Sequence, residues 1–269
     1  EMTIRRMFLG AQKIEVTGGG YAPAGDFRND AGLMKIADQA ALRMLLQCGL
    51  LCNDSDLHQS EGKWQIKGDP TEGALVVAAA KAGIHIHDFR LHNPRKEELP
   101  FSSERKRMTT VHQMQDGQTV AFMKGAPEVV LDRCVSIMDN SGIRKITEED
   151  EKQIHEANAA MASDALRVLG LAYRGEAQTC ACTEDDVENH MVFLGLVGLM
   201  DPPREEAIEA IKVCKRVGIR PIMITGDHKL TAVAVAKEMG IASEGDTFLT
   251  GEEIEALSDK EFEGIVDKV

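Results

Sequence analysis

The chain has 269 residues, 43% of them hydrophobic, with 31 basic against 44 acidic side chains and a formal net charge of −13. That length predicts two domains, and the acidic balance argues against nucleic acid as a partner. The longest apolar run, Met191 to Met200, falls far short of the roughly 20 residues that span a bilayer, and no signal peptide is visible, so the chain as given is expected to be soluble.

In chain order, residues 1–30 read as a short strand, a Gly-rich turn (VTGGGYAPAGDF) and a second extended piece. Asp38 to Cys52 has Ala41, Leu42, Leu45, Leu46 and Leu50 on one side, the period of a helix. Trp64-Gln65-Ile66 is a strand edge. Gly68-Asp69-Pro70-Thr71 ends it and opens a helix from Glu72 to Ala82, with Asp69 or Thr71 as cap and proline in the first turn. Strands at Met108–Gln113 and Thr119–Met123 are joined through the turn at Asp116-Gly117, and a helix from Pro127 to Arg133 follows. Thr147-Glu148-Glu149-Asp150 starts a long amphipathic helix reaching about Ser163. Arg167–Tyr173 and Met191–Leu199 are apolar strands.

After Asp201-Pro202-Pro203 the texture changes. Helix Glu205–Val217, strand Arg220–Ile224 and helix Leu230–Met239 alternate as in a parallel doubly wound sheet. The expected fold is an α+β domain, an antiparallel sheet flanked by helices, over residues 1–200. A partial α/β Rossmann-like domain is expected over 201–269.

Six cysteines do not make a disulfide framework. Cys48 and Cys52 lie four apart in a helical pattern and read as core. Cys180 and Cys182, with His190, lack the second ligand pair that a zinc site needs. His85 and His87 share a strand face without a third ligand, so no metal site is expected. A reducing setting fits best.

Several stretches could carry chemistry. In IMITGDHKLTA an apolar run meets Thr225-Gly226-Asp227 and then a helix, so backbone N–H groups and the positive helix end face an anion, or the joint is simply a capped turn. In FSSERKRM, Phe101 precedes Arg105, Lys106 and Arg107: a ring to stack on a base with cations for phosphate oxygens, or a basic hairpin edge. In FMKGAPEVVL, Lys124 ends a strand beside a helix N-terminus, where an anionic ligand would relieve the mismatch with the dipole, or it is simply a solvated strand-end lysine. Gly125-Ala126 there allows close backbone approach. Glu72, in KGDPTEGAL, can accept from an exocyclic amine or cap the helix, and Arg167 heads RVLGLAY. Asp54-Ser55-Asp56 imitates the Asp-x-Asp of aspartyl-nucleophile phosphatases. It follows a helical segment, however, and is followed two residues later by His58, so it is set aside.

The order VTGGGYAPAGDF, KGDPTEGAL, FSSERKRM, MKGAPE, RVLGLAYR, DPPR, MITGDHKLTA resembles the cytoplasmic catalytic part of P-type cation-transporting ATPases over nearly the whole chain. KGDPTEGAL with MKGAPE is most similar to the calcium-transporting group. The resemblance implies an ATP-binding domain inserted into a haloacid-dehalogenase-like phosphorylation domain, here incomplete. It places Phe101 on adenine with Glu72 nearby, Lys106 and Lys124 lining the pocket, Gly125 and Ala126 as its backbone wall, and Arg167 at the phosphates. Asp201 and Arg204 fall at the interdomain hinge, and Thr225, Gly226 and Asp227 at the phosphoryl-transfer centre. Ser103 departs from the pattern, standing where relatives often carry arginine.

The family's Asp-Lys-Thr-Gly-Thr nucleophile motif and its Gly-Asp-Gly-x-Asn-Asp segment do not occur in the chain. The implied identity is therefore a fragment of a pump, on the cytoplasmic side of a membrane-embedded parent. The implied partners are ATP, Mg²⁺ in the complete enzyme, and the transmembrane and actuator parts of the same polypeptide, with the fragment itself monomeric and inactive in turnover. The competing reading is a stand-alone nucleotide-binding or regulatory module.

Overall fold

The computed structural model describes residues 1–175, 187–201, 205–226, 229–243 and 245–269. Cys180, Cys182, Arg204 and Asp227 lie outside the described residues. The chain divides into two compact units, one of residues 1–162 with 167–201, the other of residues 163–166 with 202–269.

The first unit is built on a mainly antiparallel sheet. Its strands are β1 (Thr3–Leu9), β2 (Gln12–Val16), β3 (Phe27–Asn29), β4 (Gly32–Leu33), β7 (Arg95–Leu99), β8 (Arg107–Gln113), β9 (Thr119–Gly125), β12 (Arg167–Gly175) and β13 (Met191–Met200), in the order β4-β3-β2-β1-β13-β12-β9-β8-β7. A side branch adds β10 (Cys134–Asp139), parallel to β13, and β11 (Gly142–Lys145). Strands β5 (Asp56–Ser60) and β6 (Lys63–Lys67) form a separate hairpin. Strand β13, apolar and buried along most of its length, is central because it can lose both faces to the interior. It carries a bulge where Leu171 faces Gly195 and Ala172 faces Phe193. Gly195 sits there at φ +151°, and a Cβ would stand 2.5 Å from the Phe8 carbonyl oxygen, so only glycine fits.

One sheet face is covered by α1 (Ala40–Leu51) and α2 (Pro70–Lys81). Helix α1 is apolar nearly all round and buries Leu42, Leu45, Leu46 and Cys48. Helix α2 starts cleanly because Pro70 sits in its first turn and the Asp69 carboxylate accepts from the N–H groups of Thr71 and Glu72. Shorter helices α3 (Ile86–His92) and α4 (Pro127–Leu131) and the long α5 (Glu148–Ser163) complete the unit. His85 and His87 therefore do not share a strand face. His85 precedes α3 at its N-cap position and His87 lies in its first turn, since Ile86, Phe89 and Arg90 repeat at three- and four-residue steps. The N-terminal region is also richer than one strand and a turn, because Gly10 and Ala11, both at positive φ, close a β1–β2 hairpin before the Gly-rich loop.

The second unit holds α6 (Glu205–Arg216), α7 (Lys229–Glu238), α8 (Gly251–Glu255) and α9 (Asp259–Ile265). The expected strand over 220–224 is not formed. Among the described residues this unit contains no strand to pair with it, and Ile224 is 94% exposed. A parallel-sheet strand has no independent stability without neighbours. The two helices flanking that segment do form, but the Rossmann-like sheet does not.

On β8, His112 is packed edge-on to Phe122. Its Nδ1 lies 2.9 Å from the Asn93 carbonyl and its Nε2 lies 3.0 Å from the Thr110 hydroxyl, which suits a neutral ring donating at Nδ1 and accepting at Nε2. Burial pushes this imidazole down to about 4, against the opposing Asn93 contact. Between about pH 6.5 and 4 the unfolded chain then binds the extra proton, so stability falls as pH falls through that window. Urea denaturation should show a loss of about 2 kcal/mol from this group between pH 7 and pH 5, and the loss should vanish in His112→Gln.

Candidate functional site

The predicted pocket residues come from four separated stretches, and hydrogen bonds join them in one sequence of contacts. At the C-terminal end of β9, Lys124 is 8% exposed and its ammonium lies 2.5 Å from Glu72 Oε1 in the first turn of α2. It also donates to the Cys52 carbonyl just past α1. The second oxygen of Glu72 accepts from the Asp54 N–H at 3.0 Å, and the Ser55 hydroxyl, 3.4 Å from it, lies closer to the Asp69 carbonyl at 3.0 Å. Asn53 donates to the carbonyls of Gly49 and Glu72, both at 2.9 Å, and so ties the end of α1 to the start of α2. Beside Glu72, the Thr71 hydroxyl accepts from Arg167 Nη1 at 3.1 Å, and the rest of the Arg167 side chain is exposed.

Gly125 is flanked by Arg107 of β8 and Gly170 of β12. A Cβ on Gly125 would stand 2.5 Å from the Lys106 carbonyl oxygen and 2.7 Å from Arg107 Cβ, so the strand ends approach this closely only through glycine. The next N–H, of Ala126, donates to the Lys106 carbonyl at 2.9 Å, and Pro127 opens α4. Lys106 itself has φ +52° and its N–H donates to the Ser102 carbonyl at 2.8 Å, closing a tight loop over 102–106. Phe101 at the head of that loop is 62% exposed, and Lys106 at its end is exposed. Glu72 thus pairs with Lys124, Arg167 with the neighbouring Thr71, and the Gly125-Ala126 backbone with Lys106, whose loop Phe101 precedes.

The expectation for the two arginines of FSSERKRM needs correction. Arg105 and Arg107 do not hold their guanidinium groups out for phosphate. Both donate to the carboxylate of Glu188, Arg107 Nε at 2.7 Å, and the Thr109 hydroxyl donates to the same group at 2.6 Å. Glu188 is fully buried, so a counter-charge at hydrogen-bond distance is what keeps a carboxylate there. Sequence reading missed Glu188 because it ends an acidic run (EDDVE) just before a strand, and such runs look like ordinary solvated faces.

Asp54 and Asp56, the imitation phosphatase motif, follow α1 and pair with Arg95 and Arg90. The first-unit hinge candidate, Asp201, follows β13 and is exposed. Thr225 and Gly226 are exposed on irregular backbone of the second unit. Among the described residues, no group of three or more His, Cys, Asp or Glu side chains could hold a metal ion. No helix of the described residues is long and apolar enough to cross a membrane. A separate cleft of about 310 Å³ lies between β1–β3 and α5, with Met161, Ala157 and Phe8 among its apolar lining. It contains none of the predicted site residues, and its rim carries both signs of charge, Arg6, Lys13 and Arg28 beside Glu15 and Asp30.

Residues 41–206 match the family model described as P-type ATPase, cytoplasmic domain N. The chain is 41% identical over 252 residues to the cation-transporting ATPase pma1 of Synechocystis sp., covering 91% of this chain and 27% of that protein. It is 40% identical to calcium-transporting ATPase 1 of Lactococcus lactis, over 86% of this chain and 26% of that protein. Against the calcium-transporting ATPase of Bacillus subtilis it is 34% identical, over all of this chain and 30% of that protein. The chain therefore spans only about a quarter to a third of the length of these relatives.

The Lys124–Glu72 pair makes a stability prediction. Removing one partner of a buried pair leaves the other charge uncompensated, at a cost of about 3 kcal/mol, whereas removing both costs much less. Lys124→Met should therefore destabilise the chain by about 3 kcal/mol in chemical denaturation, and adding Glu72→Gln should restore at least half of that.

Proposed function

The chain belongs to the family of the P-type ATPase cytoplasmic domain N, and from that premise we propose that its first unit binds ATP for a cation-transporting parent on the cytoplasmic side of a membrane. The observation that carries the reading is the exposed pair Phe101 and Lys106 on one loop, joined through the Lys106 carbonyl to the Ala126 N–H, two residues beyond the Lys124 that pairs with Glu72. The Phe101 ring stacks on adenine, a contact worth about 1–3 kcal/mol by analogy with bases on aromatic side chains. Glu72, held as an acceptor, takes the exocyclic amine. Lys106 meets the phosphates, Lys124 supplies positive potential at the pocket floor, Gly125 and Ala126 form the wall, and Arg167 swings from Thr71 to the phosphate chain. ATP arrives with its Mg²⁺.

In the parent, residues 1–200 form the nucleotide domain and 201–269 part of the phosphorylation domain, with Asp201 and Arg204 as hinge. Strands β1 and β13 support an inserted domain, because Thr3 pairs with Met200 and the two crossing points of the chain lie side by side. Thr225, Gly226 and Asp227 belong to the phosphoryl-transfer centre, whose acceptor is an aspartate that the chain does not contain. Transfer to that aspartate yields an acyl phosphate whose formation and hydrolysis drive ion movement. The names of the relatives make calcium the favoured ion.

An ATP titration of the 269-residue chain by calorimetry tests this. Binding should be weak, with Kd on the order of 0.1–1 mM, equivalent to roughly 4–5.5 kcal/mol. Phe101→Ala and Lys106→Ala, both at exposed positions, should each weaken it about tenfold or more without changing stability. Binding indifferent to both changes, or absent at millimolar ATP in folded protein, would refute the pocket.

A further inference from the structure

We propose that Glu188 is a positioning residue for this pocket: by gathering Arg105 and Arg107 onto one buried carboxylate, it sets the loop that presents Phe101 and Lys106. The inference rests on the nucleotide reading above and adds to it a residue that never touches the ligand.

The geometry is specific. Arg105 bridges two points, donating through Nη2 to Glu188 and through Nη1 to the Pro100 carbonyl at 2.9 Å. Pro100 immediately precedes Phe101, so the carboxylate reaches the backbone that carries the ring through one guanidinium. On the other side of Lys106, Arg107 Nε holds the same carboxylate at 2.7 Å. Lys106, between two anchored arginines, takes φ +52°, a region that an L-residue with a Cβ disfavours. Such a conformation persists when its surroundings over-determine it. Here the anchors are the two arginines, the Ser102–Lys106 backbone hydrogen bond and the Ala126–Lys106 bond. With both neighbours drawn inward to Glu188, the Lys106 side chain is left exposed. Thr109 fixes the carboxylate itself, its hydroxyl 2.6 Å from Oε1. Glutamine at 188 keeps the shape but loses the charge that holds two guanidinium groups.

The test uses the full 269-residue chain in amide chemical-shift titrations with ATP, combined with amide hydrogen exchange in its absence. Glu188→Gln should speed exchange at residues 102–107 and weaken ATP about tenfold. In a Lys106→Ala background the same change should weaken ATP by no more than about threefold, because part of its effect runs through Lys106. A merely structural role predicts the same factor in both backgrounds, and that result overturns the proposal, as does unchanged exchange at 102–107. Should Glu188→Gln not fold, Arg105→Gln, which cuts the bridge to Pro100, is expected to give the same pattern. If Phe101→Ala abolishes binding while Glu188→Gln leaves it intact, the positioning role fails and the pocket stands. If the unaltered chain binds no ATP, both fall.

Discussion

A charge placed in a protein interior must be neutralised where it sits, and the candidate site is organised around that constraint. Lys124 ends an interior strand and Glu72 opens a helix packed on the same sheet. Their pairing at 2.5 Å couples the two elements. The remaining oxygen of Glu72 accepts from the Asp54 N–H, so both carboxylate oxygens are engaged and the group is held in one orientation. A group oriented before the ligand arrives loses less freedom on binding. The stabilising value of such a pair is small or negative against an apolar alternative, and orientation of the carboxylate is a function that an apolar pair could not serve.

The second buried carboxylate, Glu188, applies the same logic to a loop. Strand β8 begins where Arg107 is pinned, and the residues before it are folded back by hydrogen bonds from Arg105 and Lys106. The glycine at position 125 lets that loop approach the end of β9, and a side chain there would collide with the Lys106 carbonyl oxygen. Two ion clusters and one glycine thus account for the contacts that link position 72 with 124 and the loop at 101–106 with 125–126.

Local pattern made much of this legible in the sequence. The helix over 40–51 shows in its apolar repeat, the helix at 70 in its Asp69-Pro70 start, and the strands of the sheet centre in their apolar runs. The edge strands β7 and β11 were not legible, because strands rich in charge, such as Arg95–Leu99, carry little alternation. The segment 220–224 fails in the opposite sense: its apolar residues suit a strand, but a strand exists only with neighbours, and the described residues of its unit supply none. For the site, Phe101, Lys106, Lys124 and Glu72 stood out by residue type beside turns. Glu188 and the inward turn of Arg105 and Arg107 did not, since pairing across about 80 positions leaves no local mark.

The most direct measurement is a map of amide chemical-shift changes on adding ATP to the isotopically labelled chain. The account predicts changes concentrated at residues 71–72, 101–107, 124–126 and 167, with the cleft at Met161 and Arg28 unmoved. Changes centred on that cleft, with residues 101–107 silent, would contradict it.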